Sequence, residues 1–175
     1  YHHIDINFGP DPEGDLKIMA QENPADPNTW QWTAADKLFL KLVNECHQRD
    51  IKVIMDYSWN HTGTNFWAWL DILKNQSASA YKDWYNISSF DDPATPGNEF
   101  KYDGWYGNAY MPEFRKTEIK GERIGGKPYE GNIDDGAKQH IFDVTRRWLA
   151  PDGDLSKGID GYRLDVADQI GLAFW

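Results

Sequence analysis

Polar side chains that could carry out chemistry stand at the ends of two short apolar runs. Asp56 closes the first run, and Asn60 and His61 follow it closely along the chain. In the second run, Arg163 and Asp165 are two residues apart, so both project to one face of a strand. Carboxylates, an imidazole and a guanidinium at such a place are suited to acid–base or nucleophilic chemistry.

A purely structural interpretation stays open for each of these groups. Arg163 and Asp165 could form an internal ion pair that fixes strand register, and His61 could simply satisfy a backbone carbonyl. The position of Asp56 favours function, because parallel α/β folds place active sites at the C-terminal ends of their strands. Two carboxyl groups flanking a sugar linkage carry out glycoside hydrolysis.

Two amphipathic helices and two strands must position these groups. The first helix starts at Thr33 as N-cap, and the second starts after Asp134 or Asp135. The apolar face of the second helix comprises Ala137, Ile141, Val144 and Trp148. The first helix precedes a short apolar run rich in β-branched residues, 51–56, and the second precedes another predicted strand, 159–166. Helix followed by strand, twice, predicts an α/β fold with a parallel sheet.

About 75 residues, 62–136, separate the two helix–strand segments and show no long periodic pattern. Aromatic residues make up 14 of the 56 positions from Trp59 to Phe114, well above the 15% of the whole chain. These rings could form a carbohydrate-binding rim or a small core. We expect roughly two-thirds of them to pack inside, because an irregular segment needs large side chains to bury enough area.

The composition argues against several classes of partner. The chain carries 18 Lys and Arg against 28 Asp and Glu, a net charge of −10, and has no basic stripe for nucleic acid. No apolar run approaches the length of a membrane span. The single Cys46 excludes an intrachain disulfide and a Cys-based zinc site. His2 and His3 lack the spacing of metal ligands, so we expect no metal there.

Four motifs resemble those of the α-amylase family, glycoside hydrolase family 13. Residues 56–61 are similar to its Asp-x-x-x-Asn-His signature, and residues 161–165 to its Gly-x-Arg-x-Asp signature. Residues 4–9 resemble the Ile-Asp-Pro-x-Phe-Gly segment, with Ile in place of Pro, and Met111-Pro112 resembles the Met-Pro motif. Residues 159–170 are most similar to the neopullulanase and cyclomaltodextrinase branch.

The resemblance implies a partial (β/α)₈ TIM barrel, from the end of strand 2 through strand 4. Residues 1–61 and 137–175 would be barrel segments, and residues 62–136 a domain B insertion after strand 3. A whole barrel takes about 250 residues, so the chain is expected to be a fragment of a catalytic domain. The general acid Glu and a third carboxylate would lie outside it, and the fragment alone is expected to be inactive.

Roles follow residue by residue from the same resemblance. Asp165 would be the catalytic nucleophile, and Arg163 would lie against it and keep it ionised. His61 would bind hydroxyls of the sugar in the −1 subsite, and Asp56 would orient Arg163. Two alignments are open for Tyr1. Without a gap, residues 1–5 fit the Tyr-x-x-Ile-Asp pattern of the family; with a gap, Tyr1 matches the tyrosine that stacks on the −1 sugar.

No cofactor is required by the resemblance, although Asn60 corresponds to a residue that binds Ca²⁺ in many α-amylases. The implied activity is a retaining hydrolase for α-glucosidic linkages of starch-like glucans or maltodextrins. A transglycosylase, a glucosyl isomerase and a non-catalytic carbohydrate-binding relative are alternatives. The expected partner is an α-glucan or malto-oligosaccharide, and the oligomeric state and the compartment stay open.

Overall fold

The computed structural model describes all 175 residues. Its helices are α1 Pro12–Met19, α2 Ala34–His47, α3 Trp67–Asn75 and α4 Asp135–Leu149. Its strands are β1 Ile54–Tyr57, β2 Ile87–Ser89, β3 Lys101–Tyr102, β4 Lys116–Lys120, β5 Glu130–Ile133 and β6 Gly161–Leu164. Strand β1 pairs with β6, β2 with β3, and β4 with β5. The chain forms two compact units: residues 1–56 with 140–163 (the first unit), and residues 57–139 with 164–175 (the second unit).

Helix α2 begins where the sequence predicts, because Thr33 caps it. Thr33 Oγ1 accepts a hydrogen bond from Asp36 N at 3.0 Å, and the Asp36 carboxylate accepts one from Thr33 N at 3.1 Å. This capping box satisfies two otherwise unpaired donors at the helix start. Ala35 and Val43 then bury the inner face completely.

Helix α4 confirms the predicted apolar face. No more than 2% of the surface is exposed at any of its four predicted residues, Ala137, Ile141, Val144 and Trp148. Of the two candidate caps, Asp134 fills the role, since its Oδ1 accepts from Gly136 N at 2.9 Å. The Trp148 ring packs edge-on against Phe39, with 5.6 Å between ring centroids.

Strands β1 and β6 are parallel, as predicted. Asp160 N donates to Val53 O and, further along both strands, Asp165 N donates to Tyr57 O, each at 2.8 Å. The strands are shorter than the predicted runs 51–56 and 159–166. One reason is that Val53 N donates to the Asp160 carboxylate at 2.8 Å instead of to a strand carbonyl.

The second unit contains a helix that the sequence pattern missed. Helix α3 lies inside the segment predicted to be irregular and has no side-chain cap at Phe66, so the usual start signal is missing. It packs Trp69 into an aromatic core with Tyr85 at 4.8 Å between ring centroids. Trp69, Tyr85 and Phe114 are at most 2% exposed, so many of the aromatic rings do form a core.

None of the helices combines the length and the apolar character needed to cross a bilayer.

Candidate active site

In the first unit, the end of β1 and strand β6 bring Asp56 and Arg163 together. Arg163 Nη1 donates to both oxygens of Asp56, at 3.0 and 3.2 Å. Both side chains are more than half exposed, and an exposed ion pair adds little to stability. The contact therefore fits a role in orienting the guanidinium better than a role in stabilising the fold.

Asp165 lies one residue beyond β6, in the second unit. Its backbone N–H is bonded to the Tyr57 carbonyl at the end of β1, which fixes the main chain at this point. Val166 follows with φ 48° and ψ 39°. A left-handed conformation costs an L-residue about 1–2 kcal/mol, and such strain clusters at functional sites. The backbone is thus anchored at Asp165 and strained at Val166.

His61 is held by a neighbouring amide and an aromatic ring. Asn60 Nδ2 donates to His61 Nδ1 at 3.3 Å, so a neutral imidazole carries its proton on Nε2. The imidazole stacks on Trp105, with 4.9 Å between centroids and 14° between planes. Burial lowers the pKa of His61, while the carboxylates of Glu113 and Asp165 oppose this shift. His61 is therefore a neutral donor at pH 7.

Main-chain hydrogen bonds join the segment that carries His61 to residues 112–114 of the insertion. Thr62 N donates to Pro112 O, and Phe114 N donates to Asn60 O, each at 3.0 Å. Between these bonds, His61 and Glu113 form an isolated antiparallel bridge. The two bonds and the bridge thus hold the His61 segment against residues 112–114.

A buried lysine lies beside this bridge. Lys116 Nζ donates to Phe114 O at 2.9 Å and to Asn60 O at 3.4 Å, and it pairs with Glu113 Oε1 at 3.0 Å. Arg123 reaches the same Glu113 oxygen at 3.0 Å. The Lys116 side chain is 1% exposed, and burial lowers its pKa to about 8. Three oxygens therefore surround one internal ammonium group.

The surroundings of Asn60 do not fit calcium. Asn60 Oδ1 is buried without a hydrogen-bond partner, which a metal ligand would explain. Calcium, however, takes six to eight oxygens, and the oxygens beside Asn60 are bonded to the Lys116 ammonium. A second cation at this place would be repelled by that charge.

Tyr1 is packed within the first unit. Its carbonyl accepts a hydrogen bond from Trp148 Nε1 at 3.2 Å, and burial raises the pKa of its phenol to about 12. A role of Tyr1 in binding sugar stays a prediction.

Sequence reasoning missed Trp105 and Lys116, although both contact residues of the His61 segment. A lone tryptophan or lysine in an irregular segment has no periodic or spacing signal. The Met-Pro motif at residues 111–112 was the one sequence feature that indicated this part of the site, because Glu113 and Lys116 follow it closely.

A cleft of about 610 Å³ opens in the second unit beside these residues. Glu113, Arg123 and Tyr106 are among the residues that line it. Tyr106 and Tyr110 expose 79% and 78% of their surface. These two rings are available for stacking, unlike the aromatic core around Trp69.

A model of the alpha-amylase catalytic domain matches residues 32–173. The chain belongs to the α-amylase family. This family member is 34% identical to neopullulanase 2 of Thermoactinomyces vulgaris over 137 residues, 78% of the chain and 20% of that protein. It is also 34% identical to the cyclomaltodextrinase of Geobacillus thermopakistaniensis over 141 residues, 80% of the chain and 20% of that protein.

Solved structures agree with this assignment. Cyclic alpha-maltosyl-(1→6)-maltose hydrolase from Arthrobacter globiformis matches with a TM-score of 0.59 and 29% identity, over 79% of the chain and 26% of that structure. The Nostoc punctiforme debranching enzyme matches with a TM-score of 0.56 and 30% identity, over 80% of the chain and 26% of that structure. The chain has the α-amylase catalytic domain fold and spans about a fifth of the length of the curated relatives it matches.

Proposed function

We propose that the protein carrying this chain is a retaining glycoside hydrolase that cleaves α-glucosidic linkages of starch-like glucans or maltodextrins. The observation that carries the proposal is the pairing of Arg163 with Asp56 where two parallel strands end, with Asp165 anchored one residue beyond β6. Family membership supplies the reaction class, and the names of the relatives supply the substrate class.

Asp165 is the proposed nucleophile. Its carboxylate would attack the anomeric carbon and form a covalent glycosyl-enzyme, which water then hydrolyses. Arg163 precedes it by two residues, and the contact with Asp56 limits the rotamers that the guanidinium can adopt. In this proposal the guanidinium would also donate a hydrogen bond to the nucleophile.

His61 is the proposed sugar ligand. With Nδ1 occupied by Asn60, the Nε2–H group is the donor that could bind a sugar hydroxyl. Stacking on Trp105 fixes the plane of the ring. A neutral, oriented imidazole suits recognition of a hydroxyl and leaves proton transfer to another group.

The general acid is proposed to lie elsewhere in the protein. Glu113 is the carboxylate that faces His61, but it is bonded to two cations, Lys116 and Arg123. A general acid must be able to present its proton to the leaving oxygen, whereas both cations already bind Oε1 of this carboxylate. The chain therefore supplies the nucleophile of the reaction and requires a separate acid.

The finer architecture is part of the proposal. Residues 1–61 and 137–175 would be barrel segments, from the end of strand 2 through strand 4, with residues 62–136 as domain B. Tyr106 and Tyr110, exposed in that insertion, would stack on glucose rings outside the −1 subsite, and Tyr1 would be a packing residue. We also infer that the Lys116 ammonium takes the place of calcium at Asn60.

Replacing Asp165 by Asn in the full-length protein tests the proposed function. The wild type should release sugar from starch, pullulan or cyclodextrins, and the variant should lose activity by about 10⁴-fold or more. Asp168→Asn is a matched control three residues away, since that carboxylate only accepts hydrogen bonds from Gly126 N and Gln169 Nε2. No sugar release by the wild type, or equal rates for both variants, would refute the proposal.

A further inference from the structure

Three potential metal ligands converge in the first unit, outside the candidate active site. His3 Nε2 lies 2.7 Å from Glu22 Oε2, and His2 Nε2 lies 3.4 Å from the same oxygen. All three ligand atoms lie within 4.8 Å of one another. The three side chains are at most 9% exposed, so solvent does not separate them.

The orientation of His3 is fixed by a second carboxylate. His3 Nδ1 is 2.7 Å from Asp36 Oδ2, and an ionised carboxylate only accepts hydrogen bonds, so Nδ1 carries the proton. Asp36 is itself held by Ile4 N at 2.8 Å and Thr33 N at 3.1 Å. With its proton on Nδ1, His3 could offer the Nε2 lone pair to an ion held beside Glu22, as in the carboxylate–histidine pairs that support metal sites.

The other two ligands are also held in place. The His2 ring stacks on Trp30, with 4.4 Å between centroids and 19° between planes. Gln31 N donates to Glu22 Oε1, which leaves Oε2 directed at the two histidines. The site is thus assembled from the segment before α1, the turn after it and the start of α2.

Positive charge is expected where these atoms meet, either as a proton on His3 or as a metal ion. A proton on His3 would satisfy the His3–Glu22 pair but would leave His2 at 3.4 Å, beyond the usual hydrogen-bond range. The nearby Arg147 guanidinium is already bonded to Asp36 at 3.2 Å and covers the Trp32 ring at 3.7 Å. A divalent ion would bind all three inward-facing atoms at once.

We propose that His2, His3 and Glu22 bind a zinc-type divalent ion. Two imidazoles and one carboxylate are a ligand set that Zn²⁺ accepts, with a fourth position for water. The ion would tie residues 2–3 to α1 and, through Asp36, to α2. The sequence-based expectation of no metal at His2 and His3 rested on their spacing alone, and the third ligand lies 19 residues further along the chain.

Metal content of the full-length protein tests this proposal. After saturation with zinc sulfate and dialysis, elemental analysis should find about one more Zn²⁺ per molecule in the wild type than in Glu22→Gln. His47→Gln is the matched control, because His47 also faces a carboxylate, Asp160, at 2.8 Å but has no second imidazole there. This control should retain the wild-type zinc content.

Two further measurements keep the proposal falsifiable if Glu22→Gln does not fold. His2→Asn leaves the His3–Glu22 and His3–Asp36 contacts intact and should still lose the ion. X-ray absorption of the zinc-loaded wild type should show imidazole scattering with nitrogen and oxygen ligands at about 2.0–2.2 Å. A wild type that holds no zinc, or His2→Asn with the wild-type zinc content, would overturn the proposal.

Discussion

Replacing Lys116 by Met is expected to remove a pH dependence of stability that the buried ammonium creates. The side chain is 1% exposed, and burial lowers its pKa from 10.5 to about 8. Between these two pH values the unfolded chain holds the proton and the folded protein has lost it. Stability therefore rises with pH across this window. Methionine has no such group, so the variant lacks this contribution.

The size of this change in stability follows from the shift in the pKa of Lys116. A displacement from 10.5 to about 8, at about 1.36 kcal/mol per pKa unit, corresponds to about 3 kcal/mol. The free energy of unfolding of the wild type minus that of Lys116→Met should thus grow by about 3 kcal/mol from pH 7.5 to pH 10.5. Contributions from other titrating groups cancel in this difference.

Urea unfolding of the full-length protein, followed by tryptophan fluorescence at several pH values, measures this difference. Lys120→Met is the control, because Lys120 lies on the same strand, β4, and is exposed. It should show no change relative to the wild type over the same range. If the Lys116→Met difference changes by less than about 1 kcal/mol, the ammonium is not buried as described and the reasoning fails.

Three further predictions concern the proposed reaction in the full-length protein. Arg163→Lys should lower kcat/KM about 100-fold in steady-state kinetics, because lysine cannot reproduce the planar guanidinium geometry, and an unchanged value would contradict its role. Tyr106→Ala combined with Tyr110→Ala should raise KM for long glucans but not for maltotriose, with thermal stability unchanged within about 0.5 kcal/mol; equal KM values for long glucans would count against the stacking surface. Asn60→Asp adds a negative charge and would tighten Ca²⁺ binding at a genuine calcium site. Because Lys116 is proposed to take the place of the ion, calorimetry should show the same Ca²⁺ affinity for the variant and the wild type, and tighter binding by the variant would disprove this role of Lys116.

Fold elements with a strongly periodic pattern of apolar residues could be predicted from the sequence, and elements with a weak pattern could not. Helix α4 repeats apolar residues over 15 positions, which fixes both its type and its buried face. Helix α3 has only nine residues and no capping side chain. Its stability comes from tertiary packing of Trp69, which no local pattern shows.

The candidate site was predictable only where its residues share a strand or a motif. Asp56 and Arg163 stand at positions that the strand pattern places together, and the structure shows their contact. Lys116 contacts Asn60 across 56 positions of the sequence, and Glu22 reaches His3 across 19. Contacts at such separations depend on the fold of the whole chain, so a pattern read along the sequence does not contain them.

The bonds from Thr62 N to Pro112 O and from Phe114 N to Asn60 O close residues 63–111 of the insertion into a loop, and we call this pair of bonds the clasp. In a closed loop, doubling the number of residues adds only about 0.6 kcal/mol of closure entropy. The exposed turn at residues 92–98 can therefore be lengthened at small energetic cost, whereas α3 and the buried rings around Trp69 must be kept. His61 is held by the clasp and by stacking on Trp105, so a longer turn would change the outer surface of the insertion and leave His61 in place.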